Sequence, residues 1–165
     1  MVGELMPEWT AHVITVSDGV HHGARQDDSG FALDEMLRQA GAVEVGRAVV
    51  PDEREQIKSA ILAAAEQADL VLTTGGTGFG PRDVTPEATA EVLERHSAGL
   101  VHLMLSRGLS ATPLAALSRP QAGTVGSALV VNLPGSPKGA TENLAALLEV
   151  LPHALELLAG RTEHT

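Results

Sequence analysis

The sequence predicts an α/β fold in which a mostly parallel sheet is flanked by helices. Three observations carry that reading. Short apolar runs at His12 to Val16, Asp69 to Thr74 and Ala128 to Asn132 have the length and β-branched content of buried parallel strands. Between them lie stretches whose apolar residues recur with the period of a helix. A polar or glycine-rich loop follows each strand. Strands that alternate with helices in this way pair in parallel through right-handed crossovers.

Each element has its own local reason. His12-Val13-Ile14-Thr15-Val16 is the first strand, and the polar stretch Ser17 to Asp28 is read as a loop. Ser29 is placed to cap a helix over Phe31 to Ala40, with Leu33, Met36, Leu37 and Ala40 on one face and Gly41 ending it. Val43 to Val50 is the second strand. Asp52, with Glu55 three residues on, has the spacing of a capping box before a helix striped by Ile57, Ile61, Ala65 and Ala68. After the third strand, Thr85 as cap and Pro86 as first residue open another helix. Helical segments are expected over Ala88 to Arg95, Leu100 to Leu109 and Pro113 to Ser118. Thr141 to Ala159 is expected to be helical with an interruption at Pro152. The domain is expected over residues 12–159, with an N-terminal segment 1–11 and a C-terminal tail 160–165 that frays.

Composition excludes several classes of function. A chain of 165 residues fits one domain, or at most a compact two-lobed one, and is long enough to bury roughly 70% of its surface. Eleven Lys and Arg against 21 Asp and Glu give a net charge of -10, which argues against a nucleic-acid partner. It leaves room for a small anionic ligand, which feels the local field of its pocket. The absence of cysteine removes disulfides, thiolate metal sites and thiol nucleophiles together. No run of about 18 apolar residues is present, so no membrane span is expected. Met1 to Ala11 lacks the pattern of a signal peptide, and a cytoplasmic location is expected. The seven histidines include no His-Glu-x-x-His, and no Gly-x-Ser-x-Gly elbow occurs, so zinc and hydrolase chemistry are disfavoured.

In open α/β sheets the ligand crevice lies at the carboxyl ends of the strands. Ser17 and Asp18, the Thr74 to Asp83 loop and the Asn132 to Lys138 loop should therefore meet at one rim. Gly75, Gly76, Gly78 and Gly80 leave backbone N–H groups free to face an anion. Arg82 offers a cationic fork for phosphate. Asp83 suits a Mg²⁺ held between carboxylate and phosphate. The competing reading is a turn in which Arg82 and Asp83 pair with each other. Lys138, one of two lysines, is either a phosphate contact or the start of a surface helix. Asp52 and Asp18 are either caps or ligand contacts.

Thr73-Thr74-Gly75-Gly76-Thr77-Gly78-Phe79-Gly80-Pro81-Arg82-Asp83-Val84-Thr85-Pro86-Glu87 resembles the MogA/MoaB molybdopterin-binding family, which includes the G domains of gephyrin and its plant counterpart. Thr15 to Asp18, Asp28-Ser29-Gly30, Val50 to Glu53, Thr112 to Gly123 and Asn132 to Gly139 resemble further family motifs in the same order. The resemblance spans about residues 12 to 158. It implies a doubly wound α/β domain with a small extra subdomain, assembled as a homotrimer. It implies Mg-dependent adenylylation of molybdopterin by ATP, with release of pyrophosphate and a transient partner that inserts molybdenum.

On that resemblance Asp52 and Asp83 are the catalytic, metal-holding carboxylates. Thr74, Gly75, Gly76, Thr77, Gly78, Arg82, Asn132, Pro134, Gly135, Ser136 and Lys138 hold nucleotide and phosphates. Ser17, Asp18 and Ser118 lie toward the pterin. A MoaB-like protein that binds a pterin without useful adenylyl transfer is the alternative. Asp28 stands where many relatives carry Arg, which removes a cation from that loop.

Overall fold

A computed structural model describes residues 7–161. The expectations for residues 1–6 of the N-terminal segment and 162–165 of the tail lie outside the described residues. The chain runs β1 (Thr10–Val16), α1 (Asp18–His21), α2 (Asp28–Gln39), β2 (Glu44–Val50), α3 (Arg54–Ala65), β3 (Leu70–Thr74) and α4 (Thr85–Val92). It continues through β4 (Arg95–His96), α5 (Ala98–Ala111), a 3₁₀ turn (Pro113–Leu117), β5 (Ala122–Val125), β6 (Ala128–Leu133), α6 (Pro137–Leu148) and α7 (Leu151–Leu158).

The sheet has six strands in the order β2-β1-β3-β6-β5-β4. The first four pair in parallel, and β5 and β4 add an antiparallel edge. Alternation along the parallel strands divides the core into two layers. Val13, Leu70, Leu72, Leu129 and Val131 face Leu33 and Leu37 of α2, Met104 of α5 and Leu144 and Leu147 of α6. Ile14, Val71 and Val130 face Ile57 and Ile61 of α3 and Ala88 of α4. Helices cover both faces, so the central strands are buried throughout. That is why they read as near-continuous apolar runs.

Local expectations are revised where tertiary partners intervene. β1 begins at Thr10, and Trp9 ahead of it is buried, so structure starts before residue 12. The stretch read as a loop after β1 contains the short α1, capped by Ser17 through a bond from the Val20 N–H. The cap of α2 is Asp27, not Ser29; the Asp27 carboxylate accepts from the Gly30 N–H at 3.1 Å, and Ser29 is buried inside the first turn. Ala40 lies exposed beyond the helix, and Gly41 follows with φ +112°.

The capping box at Asp52 does not form. Glu53 occupies the cap position without a side-chain bond, because the Asp52 carboxylate is turned to α1. Thr85 is the first residue of α4 rather than its cap. That helix stops at Val92, and Arg95 leaves it to pair with Thr124 in the sheet. The expected C-terminal helix is two helices, broken at Glu149 and Val150. Pro152 sits harmlessly in the first turn of α7, where its missing N–H costs nothing.

Candidate functional site

The carboxyl ends of the parallel strands open into a cavity of about 420 Å³. Its floor is built from the loops after β3 and β6. The Gly75 N–H donates to the Leu133 carbonyl at 3.1 Å, and the Thr74 hydroxyl donates to the Pro134 carbonyl at 2.7 Å. Gly75 has φ +106°, and a Cβ there would overlap the Val16 carbonyl oxygen. Gly76 has φ +69°, and its Cβ would overlap Thr85 Oγ1 and stand 3.1 Å from Asp52 Oδ1. Only glycine permits both the conformation and the close approach.

One wall carries acid. Asp52 Oδ2 accepts from the Asp18 N–H at 2.9 Å, and Asp18 Oδ1 accepts from the Asp52 N–H at 3.0 Å. Asp83 Oδ2 accepts from the Gly80 N–H at 2.9 Å. Asp52 and Asp83 both line the cavity. Among the described residues Asp52 Oδ1 and Asp83 Oδ1 receive no hydrogen bond. Burial pushes the Asp52 carboxyl above its ordinary pKa, and the neighbouring Asp18 and Asp83 charges push the same way, against the Asp18 N–H and Arg82. Asp18 goes the other way, held below its ordinary value first by Arg82 and then by the Asp52 N–H.

The free oxygens and crowded negative charge suit a divalent cation. No group of three or more His, Asp or Glu side chains is placed to hold a metal among the described residues. Two carboxylates completed by ligand phosphates fit the way Mg²⁺ is commonly bound.

The remaining expected residues divide by position. Ser17, Thr74, Gly75, Gly76, Gly135 and Ser136 share the cavity with Asp52 and Asp83. Arg82 is turned away from it. Its guanidinium donates to both oxygens of Asp18 at 3.0 and 3.1 Å and to Glu53 at 2.9 Å, not to Asp83. Asn132 is fully buried beneath the rim. Its Nδ2 donates to the hydroxyls of Thr73 and Thr89 at 2.8 and 2.9 Å, and its Oδ1 accepts from the Gln121 N–H at 3.0 Å. The expected phosphate contact by Asn132 is thus replaced by a role joining β6 to β3 and α4.

Lys138 lies exposed in the first turn of α6, off the cavity wall. Thr77 is buried with its hydroxyl 3.2 Å from that of Ser118. Gly78 closes around Asp83 Oδ2. Ser118 and Pro134 line a second, smaller cavity of about 230 Å³, more apolar and sharing Ser136 with the first. The pterin trio is therefore split: Ser17 lines the first cavity, Ser118 the second, and Asp18 braces Asp52.

Two residues escaped the sequence reading. Arg119 donates to the Gly78 carbonyl at 3.0 and 2.8 Å and to the Asp83 carbonyl at 3.1 Å, and it pairs with Glu87. It clamps the glycine loop from outside. Asp27 lines the cavity, accepts from the Thr15 hydroxyl at 2.9 Å and pairs with Arg47. An aspartate three residues before Gly30 is a legible cap signal for Asp27. The sequence carries no local sign of the clamp at Arg119, 41 residues from Gly78.

A mostly parallel sheet with a glycine-floored crevice and two carboxylates at its strand ends defines an α/β protein with a candidate ligand site at the strand ends. A family model described as "Probable molybdopterin binding domain" matches residues 12–153, so the chain belongs to the molybdopterin-binding domain family. It is 41% identical over 170 residues to gephyrin of Dictyostelium discoideum, with 96% of this chain and 24% of gephyrin covered. It is 38% identical over 152 residues to the molybdopterin adenylyltransferase of Helicobacter pylori strain J99, with 90% of this chain and 86% of that protein covered. Among solved structures, the molybdopterin biosynthesis enzyme MoaB from Thermus thermophilus superposes with a TM-score of 0.83 at 48% identity, covering 92% of this chain and 97% of that one.

Proposed function

We propose that the protein acts in molybdenum cofactor biosynthesis by adenylylating molybdopterin. An oxygen of molybdopterin's terminal phosphate attacks the α-phosphorus of ATP. The bond between the α-phosphorus and its bridging oxygen to the β-phosphorus breaks, pyrophosphate leaves, and adenylyl-molybdopterin is formed. The observation that carries this is the pair Asp52 and Asp83, which line a cavity floored by Gly75 and Gly76 and each keep one oxygen without a hydrogen bond among the described residues. The adenylyltransferase name of the relative covered over 86% of its length supports the same reading.

Asp52 and Asp83 would hold Mg²⁺, which when bound offsets the charge gathered on the phosphates. The chain's own residues supply position. Asp18 and Arg82 fix the Asp52 carboxylate. Arg119 fixes the loop that carries Asp83. The glycine backbone and Ser136 leave donors and space for phosphate oxygens.

The test is pyrophosphate release from ATP and Mg²⁺ with and without molybdopterin, for wild type and Asp83→Asn. Release that needs molybdopterin and drops by about 10²-fold or more in Asp83→Asn is expected. Molybdopterin binding without release would favour the second reading, a pterin-binding protein without useful adenylyl transfer. A homotrimer is the assembly proposed for either reading, and light scattering reading three chains per particle is its check.

A further inference from the structure

The first cavity is lined by Asp27, Asp28, Asp52 and Asp83, and by a single cationic side chain among the described residues, Arg25. Asp27 is neutralised by Arg47. The other three carboxylates meet no cation within the wall, although any phosphorylated ligand brings more negative charge. Arg82 is engaged by Asp18 and Glu53, and Lys138 lies off the wall.

Arg25 differs from the other arginines around the site. Among the described residues its guanidinium makes no ion pair and no hydrogen bond. Its stem is nevertheless seated. The Ala24 and Arg25 N–H groups both donate to the Gly19 carbonyl, at 2.8 and 3.1 Å, closing a tight turn. The aliphatic stem lies over Gly19, where a Cβ would stand 2.7 Å from Arg25 Cδ. Residue 19 without a side chain thus makes room for the arginine, which leaves its fork of N–H donors uncommitted at the cavity wall.

We infer that Arg25 is a ligand-binding residue that takes a phosphoryl group of a ligand in this cavity. The inference rests on the proposed function only in requiring that the ligand be phosphorylated. Two phosphoryl groups have the chemistry: the triphosphate of ATP and the terminal phosphate of molybdopterin. A planar fork binds either with two parallel charge-assisted hydrogen bonds.

The experiment is calorimetric titration of wild type, Arg25→Gln and Arg25→Lys with MgATP and, separately, with molybdopterin. Arg107→Gln removes an arginine paired with Glu149 on a different face and serves as the charge control. Arg25→Gln should weaken one of the two ligands by about tenfold. Arg25→Lys should fall between, since it keeps the charge and loses the fork, and Arg107→Gln should match wild type. In pyrophosphate release the KM of the same ligand should rise while kcat stays within about threefold. A loss confined to MgATP puts Arg25 on the triphosphate, and a loss confined to molybdopterin puts it on the terminal phosphate. Both affinities within twofold of wild type, or an equal loss in Arg107→Gln, would overturn the inference. If wild type releases no pyrophosphate yet Arg25→Gln still loses affinity for a phosphorylated ligand, adenylyl transfer fails and the role of Arg25 stands.

Discussion

Asp18 and Asp52 each accept a hydrogen bond from the other's backbone N–H, at 3.0 and 2.9 Å. The exchange ties the start of α1 to the segment after β2 and commits one Asp52 oxygen to Asp18, leaving the other without a hydrogen bond among the described residues. Asp18→Ala removes one half of the exchange and the main partner of Arg82. Outer partners of this kind are commonly worth 10- to 100-fold in metal affinity. The Mg²⁺ concentration for half-maximal pyrophosphate release should therefore rise by about 10-fold or more, with the melting temperature only modestly lowered. An unchanged Mg²⁺ requirement would remove Asp18 from the positioning of Asp52.

Arg119 is the clamp of the glycine loop, and its loss should be felt locally. Arg119→Gln deprives the Gly78 and Asp83 carbonyls of their donor and leaves Glu87 without its cation. Glu87 Oε2 is already buried without a hydrogen-bond partner. Hydrogen bonds from charged groups are worth about 1.5–3 kcal/mol. Amide exchange across Gly76 to Asp83 should accelerate in this variant while the strands of the core keep their protection. Uniform acceleration throughout the chain would mean that Arg119 supports the fold rather than the loop.

Asn132 separates a structural role from a ligand role. All its side-chain polar groups are used inside the protein, so Asn132→Ala orphans the Gln121 N–H and the Thr73 hydroxyl, while the Thr89 hydroxyl keeps only its bond to the Thr85 carbonyl. A destabilisation of about 2–4 kcal/mol in denaturant unfolding is expected. The folded fraction should bind MgATP as wild type does. A tenfold loss of MgATP affinity at full stability would return Asn132 to the phosphate site.

α3 and α4 are joined by Lys58 Nζ, 2.8 Å from Glu91, and by the ion pair of Arg54 with Glu91. The Lys58 hydrogen bond lowers the pKa of Glu91, and Glu91 in turn raises that of Lys58. A depressed carboxyl stabilises above its unfolded value of about 4.3 and loses that contribution as pH falls through the folded value. The raised ammonium contributes below about 10.4 and loses it as pH rises through its folded value. Glu91→Gln should therefore lower Tm at pH 7 and leave it unchanged at pH 2. A deficit of equal size at both would refute the electrostatic origin.

What could be read from residues alone follows where the stabilising contacts lie. β1, β3 and β6 are buried on both faces, so their sequence is nearly all apolar and legible. β4 is two exposed residues, Arg95 and His96, and β5 is Ala-Gly-Thr-Val; neither has the length or alternation that marks a strand. β5 exists because β6 offers an edge to pair with, and β4 because β5 then offers the next one. The same logic governs the site. Gly75 and Gly76 announce themselves, since their backbone needs glycine. Asp52 has the spacing of a cap, and only the folded chain brings Asp18 close enough to compete for its carboxylate. Asn132 looks like a loop ligand because it ends a strand beside Pro134 and Gly135, and the threonines that engage it lie 59 and 43 residues away.

The floor and the outer wall of the cavity are fastened in different ways. A Cβ on Gly135 would lie 3.2 Å from the Gly75 Cα, and Thr74 is bonded to Pro134, so the two floor loops are locked to each other and to the central strands. Among the described residues, the wall formed by residues 19–26 is fastened only to its own turn, through the Gly19 and Val20 carbonyls, and to Ser17 and Asp18 just ahead of it. A side chain placed on Gly75 or Gly135 would push the two floor loops apart and strain β3 and β6, whereas an exchange at Arg25 meets only the Gly19 turn. The part of the cavity that carries Arg25 therefore tolerates exchange more readily than the floor that Gly75 and Gly135 lock together.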